Sequence, residues 1–270
     1  MKLTLNNGQQ IPQLGLGVYK VNQDIAVQLV GTAIDLGYRR IDTAALYDNE
    51  QEVGAAIRKS SVPREDIYVT TKIWNNRQGY HESKEAIEES LDRLKIGYVD
   101  MMLIHWPAPK QNKFVETWRA FEELLEGGKI RGIGVANFNI HHLEQLLESA
   151  NVVPALNQVE LNPTFQQPEL RAFNAKHGIA TEAWAPLGRA KILDHPVLVE
   201  IAAAHGKSAA QVVIRWHLQI GNLVIPKSSN PDRLAENLDV FDFSLSDSDM
   251  QLIASMDTGI RASNNPDDFD

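Results

Sequence analysis

No cysteine occurs in the 270 residues, so disulfides, thiolate metal sites and a cysteine nucleophile are excluded. No apolar run approaches the roughly 20 residues needed to span a bilayer. The start, Met1-Lys2-Leu3-Thr4-Leu5-Asn6-Asn7-Gly8, also lacks the apolar stretch of a secretory signal. Positive charge is in deficit: 26 Lys and Arg against 35 Asp and Glu leave a net charge of -9, which argues against a polyanion such as DNA as the main partner. These absences set the expectations of a cytoplasmic protein with no nucleic-acid or membrane partner; a monomer is expected, though nothing in the composition decides it.

What is present is core material. With 43% hydrophobic and 23% charged residues, the chain has the composition of a packed globule rather than of a disordered one. The length exceeds that of a common single domain, yet α/β barrels reach it as one unit. No linker-like stretch interrupts it, so one domain over residues 1–270 is expected.

Asn7-Gly8, between Leu3-Thr4-Leu5 and Gln10-Ile11, reads as the turn of a short hairpin, because that dipeptide tolerates positive φ. The hairpin is expected to plug one end of the fold. After it, short β-like runs alternate with longer helical patterns, the rhythm of parallel strands joined by crossover helices. Eight runs are discernible, at 14–17, 40–42, 67–72, 99–105, 130–136, 155–159, 179–185 and 223–226. One intervening helix carries Phe114, Trp118, Phe121 and Leu125 on a single face, a packing stripe. Eight such units fit a closed (β/α)8 barrel, a TIM barrel with an N-terminal β-hairpin plug, better than an open sheet. The polar stretch 262–270 is expected to lie over the barrel or move, with no strand or helix of its own.

Several familiar motifs fail. Gly15-Leu16-Gly17 and Gly132-Ile133-Gly134 begin like a dinucleotide fingerprint but have Lys20 and Asn137 where the third glycine belongs, so a Rossmann site is a poor reading. Gly206-Lys207-Ser208 resembles a phosphate-loop end but has Ile201 in place of the first glycine. His141 and His142 are neighbours on an expected helix, where consecutive side chains diverge. A surface role is favoured for them, and no metal site is expected.

Four polar residues stand out by position. Asp42 ends the second run and Tyr47 follows it, Lys72 ends the third, and His105 ends the fourth. In a barrel, catalytic side chains gather at the carboxyl ends of strands. Each of the four has a bland explanation: a helix cap, core packing, a snorkelling amine, a satisfied interior histidine. Together they would converge on one mouth, where unpaired burial of each is costly.

Asp42-x4-Tyr47, Lys72 and His105 resemble the Asp-Tyr-Lys-His tetrad of the aldo-keto reductase superfamily. The likeness runs from Ile11-Pro12-Gln13-Leu14-Gly15-Leu16-Gly17 to Glu236-Asn237-Leu238. It is greatest to the bacterial 2,5-diketo-D-gluconate reductases, through Leu103-Ile104-His105-Trp106-Pro107, Trp184-Ala185-Pro186-Leu187-Gly188 and Glu236-Asn237-Leu238-Asp239-Val240-Phe241-Asp242-Phe243. The resemblance implies reduction of aldehydes and ketones, such as sugar-derived carbonyls or methylglyoxal, by NADPH. Tyr47 would give the proton, Lys72 assist it, Asp42 balance Lys72, and His105 orient the carbonyl and relay protons at lower pH.

The resemblance also implies a cofactor site formed by Gly17, Val18, Tyr19, Asp42, Asn137, Gln158, Trp184, Pro186, Leu187, Gly188, Lys227, Ser228, Arg233, Glu236 and Asn237. In it Asn137 and Gln158 would hold the carboxamide of the nicotinamide and Trp184 would stack on the ring. Ala136 replaces the Ser usual before Asn137, removing one hydrogen bond. Lys227, Ser228 and Arg233, at the start of a helix, would hold the 2′-phosphate and favour NADPH over NADH, although Asn230 stands where a relative can carry Arg. Tyr19, Tyr47, Trp74, His105 and Trp106 would wall the substrate space together with Val18, and Arg189 could meet a substrate carboxylate. Two other classes remain in view. One is a Schiff-base aldolase using an uncharged Lys72. The other is a cofactor-sensing regulatory subunit of the same fold, which would bring extra terminal segments and a membrane partner that this compact chain does not suggest.

Overall fold

A computed structural model describes residues 1–270. Two short antiparallel strands, β1 (Lys2–Thr4) and β2 (Gln10–Pro12), form the opening hairpin, with Thr4 opposite Gln10. Its turn differs from a tight Asn-Gly turn. Leu5 N–H donates to Gln9 O and Gly8 N–H to Leu5 O, so three residues turn the chain and only Gly8 takes positive φ.

The barrel strands follow: β3 (Leu16–Gly17), β4 (Arg40–Asp42), β5 (Tyr68–Ile73), β6 (Met101–Ile104), β7 (Ile133–Ala136), β8 (Leu156–Glu160), β9 (Ala180–Trp184) and β10 (Leu223–Val224). Each pairs in parallel with the next. A parallel bridge between Leu14 and Val224 joins the two ends of the sheet, closing the expected eight-stranded barrel. All eight runs read from the sequence overlap their strand: 40–42 coincides with β4, β5 and β8 each run one residue past the expected end, and the other ends differ by up to three residues because a strand stops where its neighbours stop pairing.

Helices α1 (Gln23–Leu36), α2 (Glu50–Lys59), α3 (Tyr80–Leu94), α4 (Phe114–Glu126), α5 (Ile140–Leu147) and α6 (Pro168–Lys176) cross between strands β3 to β9. Two, α7 (Pro196–His205) and α8 (Ala209–Gln219), connect β9 to β10, and α9 (Pro231–Leu238) and α10 (Asp247–Ala254) follow. No single helix is long and apolar enough to cross a membrane.

Side chains alternate along each strand. Ile41, Val69, Met102, Ile104, Val135 and Val159 join the apolar layer between strands and helices, where Phe114, Trp118 and Phe121 of α4 are buried. Tyr68, Met101, Leu103, Leu156 and Leu223 face inward and pack on Leu5 and Ile11 of the hairpin. The hairpin is therefore the plug of one barrel end. Further inward positions are polar: Arg40 pairs with Glu182, both with fully buried side chains, and above them lie Asp42, Lys72 and Gln158.

Helix packing is tightest where Gly54 of α2 meets the end of α3. A Cβ at Gly54 would lie 1.9 Å from Leu94 O, against backbone that cannot swing aside. Gly54→Ala should therefore cost about 1–3 kcal/mol, the range of overpacked sites, seen as a lower midpoint in urea denaturation. An unchanged midpoint would show that the two helices separate freely.

Candidate active site

Four chain segments bring the tetrad together. Asp42 ends β4, and Tyr47 sits in a single 3-10 turn, Ala45–Tyr47, directly after it. Lys72 is the inward residue next to the end of β5, and His105 follows β6. Lys72 Nζ donates to Asp42 Oδ1 at 2.6 Å and to Thr43 O at 2.8 Å, and lies 3.3 Å from Tyr47 Oη. All three protons of the ammonium thus have acceptors. The Lys72 side chain is wholly inaccessible, and that of Asp42 is 2% exposed.

Electrostatics separate the roles open to these groups. Burial works to lower the Lys72 pKa, but Asp42 and then Tyr47 oppose it and hold the amine above its ordinary value. Lys72 is an ammonium at any pH near neutral. Burial pushes the Tyr47 phenol up to about 12, and the Lys72 charge only partly offsets that rise. Burial, and then the Lys72 charge, keep His105 well below the ordinary histidine value, so its imidazole is neutral and an acid relay through it is confined to low pH. Its Nδ1 is buried without a partner.

Below the tetrad a second layer of polar groups is linked to it. Gln158 Nε2 donates to Asp42 Oδ2 at 2.7 Å and to Glu182 Oε1 at 3.1 Å, so both its N–H groups are used and its carbonyl is left to accept. Burial raises the Glu182 pKa while Arg40 opposes that rise. Asn137, held at φ 64°, donates to His105 O at 2.9 Å and accepts from Trp184 Nε1 at 2.9 Å. One N–H and one lone pair of the Asn137 amide remain.

A cleft of about 1350 Å³ runs over the strand ends. At one end Tyr19, Tyr47, Trp74, His105 and Trp106 face it; Asn137, Gln158, Trp184, Pro186 and Leu187 line its middle; Lys227, Ser228, Arg233, Glu236 and Asn237 line the other end. Asp42, Tyr47 and His105 of the tetrad and both cofactor groups expected from the sequence therefore share one cavity, with Lys72 buried behind its wall. Gly17 lies on its wall, where a Cβ would meet Ile225 O at 3.0 Å. Lys227 and Arg233 are exposed and make no ion pair with any acid, so their charge is available to an anion.

Other positions depart from expectation. Val18 is fully buried and does not wall the cleft, because its position points the side chain into the layer behind β3. Gly188 is also off the wall, since it serves a turn with φ 55° under which Ile192 packs. Ala136 points into the apolar barrel filling beside Leu103 and Leu156. The first N–H groups of α9 are not free for a phosphate, because Asn230 Oδ1 accepts from Asp232 N–H at 2.7 Å and Arg233 N–H at 3.3 Å. Arg189 lines the cleft at φ 55°.

The stretch 262–270 does lie over the mouth. Ala262 and Ser263 N–H donate to the buried Glu160 carboxylate at 3.0 and 3.1 Å, and Phe269 packs 4.5 Å from the Trp106 ring and 6.1 Å from Trp74. Sequence reasoning missed Phe269, although one aromatic in a polar tail was a usable signal. His141 and His142 contradict the expectation of divergence: their rings lie 4.0 Å apart. The Cβ directions do diverge along the helix, but the long rings swing back towards Asp267.

Fold and site together define a barrel enzyme that presents a phenol, backed by an ammonium, to the wall of a long cleft. The model of the aldo/keto reductase family matches residues 12–258. Glyoxal reductase of Bacillus subtilis (strain 168) is 49% identical, with 98% of this chain and 96% of that protein covered. Methylglyoxal reductase DkgA of Escherichia coli (strain K12) is 45% identical, over 99% of this chain and 97% of that protein. A crystal structure of a Gox0644 mutant in complex with NADPH superposes with a TM-score of 0.96 at 46% identity, covering 100% of this chain and 98% of that one. The chain belongs to the aldo/keto reductase family and is an oxidoreductase of that class.

Removing the ammonium tests the site's construction. Lys72→Met leaves the Asp42 carboxylate buried with only the Gln158 amide to meet it, which should cost about 3 kcal/mol of stability in urea unfolding. Adding Asp42→Asn should recover at least half of that loss. A costless single change would mean that the ion pair does not hold the site together.

Proposed function

We propose that this aldo-keto reductase reduces small aldehydes and ketones to alcohols, using NADPH, with Tyr47 as the proton donor. The substrates envisaged are 2-oxoaldehydes such as methylglyoxal and sugar-derived keto acids such as 2,5-diketo-D-gluconate. The carrying observation is the Tyr47 hydroxyl at the cleft wall, 3.3 Å from a buried ammonium.

The residues present fit a dinucleotide. The cleft exceeds the roughly 300–1,000 Å³ of ordinary small-ligand pockets, and it offers an indole face and two part-used amides in its middle and two unpaired cations at its far end. Gln158 would accept from the carboxamide and Asn137 would use its remaining valences on it. Trp184 would offer the ring a flat apolar face, and Lys227, Ser228 and Arg233 would hold the 2′-phosphate. When bound, the cofactor supplies a hydride to the carbonyl carbon.

As charge grows on the carbonyl oxygen, Tyr47 gives it the hydroxyl proton. Even with the phenol pushed up to about 12, an alkoxide is the stronger base, so the transfer runs towards the alcohol. Lys72 stabilises the phenolate left behind, and Asp42 keeps Lys72 charged and in place. Neutral His105 holds the carbonyl oxygen by a hydrogen bond. The aromatic walls of Tyr19, Trp74, Trp106 and Phe269 keep water away and set the size of the substrate.

A Schiff-base aldolase is disfavoured by the same geometry, because Lys72 is inaccessible, fully bonded and charged, whereas that chemistry needs a free amine. A cofactor sensor would bind but not turn over. A panel of carbonyl compounds assayed by NADPH oxidation separates the classes, and Tyr47→Phe should lower kcat by about 10³-fold while cofactor binding by fluorescence is retained. Unchanged turnover would remove Tyr47 from the acid role. Because His105 is held neutral, kcat/KM should show no break at the ordinary histidine value near ~6.5; a break there that disappears in His105→Gln would reverse that assignment.

The adenosine end is tested separately. Lys227→Gly with Arg233→His removes two charge-assisted contacts and should weaken NADPH binding by about 100-fold with little change for NADH. Equal losses for both cofactors would refute the phosphate site.

A further inference from the structure

Outside the cleft, one cluster of side chains is arranged as no surface group needs to be. Where α5 begins, His141 Nε2 lies 3.1 Å from His142 Nε2 and 3.2 Å from Asp267 Oδ1, and His142 Nε2 lies 3.6 Å from the same oxygen. Three lone-pair atoms thus form a triangle from two distant parts of the chain. Protons alone satisfy it poorly. The Asn139 N–H donates to His142 Nδ1 at 3.2 Å, so the neutral ring carries its proton on Nε2. If that proton goes to His141, the bare His141 nitrogen faces the Asp267 carboxylate; if His141 is itself protonated at Nε2, two N–H groups face each other.

A cation resolves the conflict. For a tetrahedral ion with ligands at about 2.0–2.1 Å, ligand atoms stand about 3.3–3.4 Å apart, and the three observed edges bracket that value. Two imidazoles and one carboxylate are a donor set for zinc, with a fourth position open to water. The open side is available because the His141 and Asp267 side chains are 60% and 43% exposed. The inner side is rigid: His142 is buried edge-on against Phe114 and Phe138, and Asn139 Nδ2 donates to Asp267 Oδ1 at 2.7 Å, the outer-shell bond that orients a ligating carboxylate.

We infer that His141, His142 and Asp267 form a binding site for a divalent transition-metal cation of the zinc type, which fastens the stretch 262–270 to α5. Binding through Nε2 requires His142 to carry its proton on Nδ1 instead, giving up the bond from the Asn139 N–H for a coordinate bond. Asp267 stands two residues before Phe269, which covers the tryptophan end of the cleft. A bound cation would therefore fix one wall of that space from outside it.

The test uses the full chain, stripped of metal, at pH 7.5. Zinc is titrated in competition with a chromogenic chelator, and hydrogen exchange of residues 262–270 is followed with and without zinc. One ion per chain with micromolar affinity is expected. His141→Ala and Asp267→Asn should each weaken it at least 10-fold, whereas His81→Ala, an exposed histidine elsewhere, should not. Zinc should slow exchange of 262–270 in the unaltered chain but not in Asp267→Asn. Binding weaker than 100 µM, or variants that bind like the unaltered chain, would overturn the site, and specific binding without slower exchange would overturn the fastening.

Discussion

The structure turns on one buried ion pair. Lys72 and Asp42, 2.6 Å apart and shut off from water, sit on adjacent parallel strands, so each carries a buried charge that the other chiefly makes tolerable. The pair fixes the positions around it: Lys72 bridges to Thr43 O, which opens the turn leading to Tyr47, and Asp42 is tied through Gln158 to Glu182 and thence to Arg40. A polar column thus runs up the barrel axis from the hairpin plug to the cleft. Apolar filling alone would close the barrel as well, but it could not hold a phenol beside an ammonium.

Much of this arrangement could be read from the chain because its determinants are local. The strand positions followed from alternating patterns, and Asp42, Tyr47, Lys72 and His105 stood at strand ends whatever the curvature of the sheet. The cofactor groups at Asn137, Gln158, Trp184 and Lys227 through Asn237 came from resemblance, and the cleft does collect them. Val18 and Gly188 lie off the cleft wall, whereas their neighbours Gly17, Tyr19, Leu187 and Arg189 are on it, and a motif string does not say which residues face the cleft. The hairpin turn went the same way, since Asn-Gly permits a tight turn without requiring one.

What the chain concealed depends on distant contacts. Glu182 looked like one acid in a β-run, and its burial is explained by Arg40, three strands away around the closed barrel, together with Gln158. Phe269 and Asp267 lay in a polar stretch with no periodicity, and their partners Trp106, His141 and His142 are more than a hundred residues back. Consecutive histidines on a helix were read by the direction of their Cβ atoms. Long side chains can undo that divergence when a third group draws them together.

The closure of the barrel carries a consequence for how it holds together. Its two shortest strands, β3 and β10, meet at the seam through three backbone bonds: Val224 N–H to Gln13 O and Gly15 N–H to Val224 O, which make the single Leu14–Val224 bridge, and Gly17 N–H to Pro226 O. The seam is the thinnest stitch in the wall, yet it opens directly onto Gly17 and Lys227. A molecule lying across both edges would act as a clasp, and its affinity would be added to the cohesion of the whole cylinder.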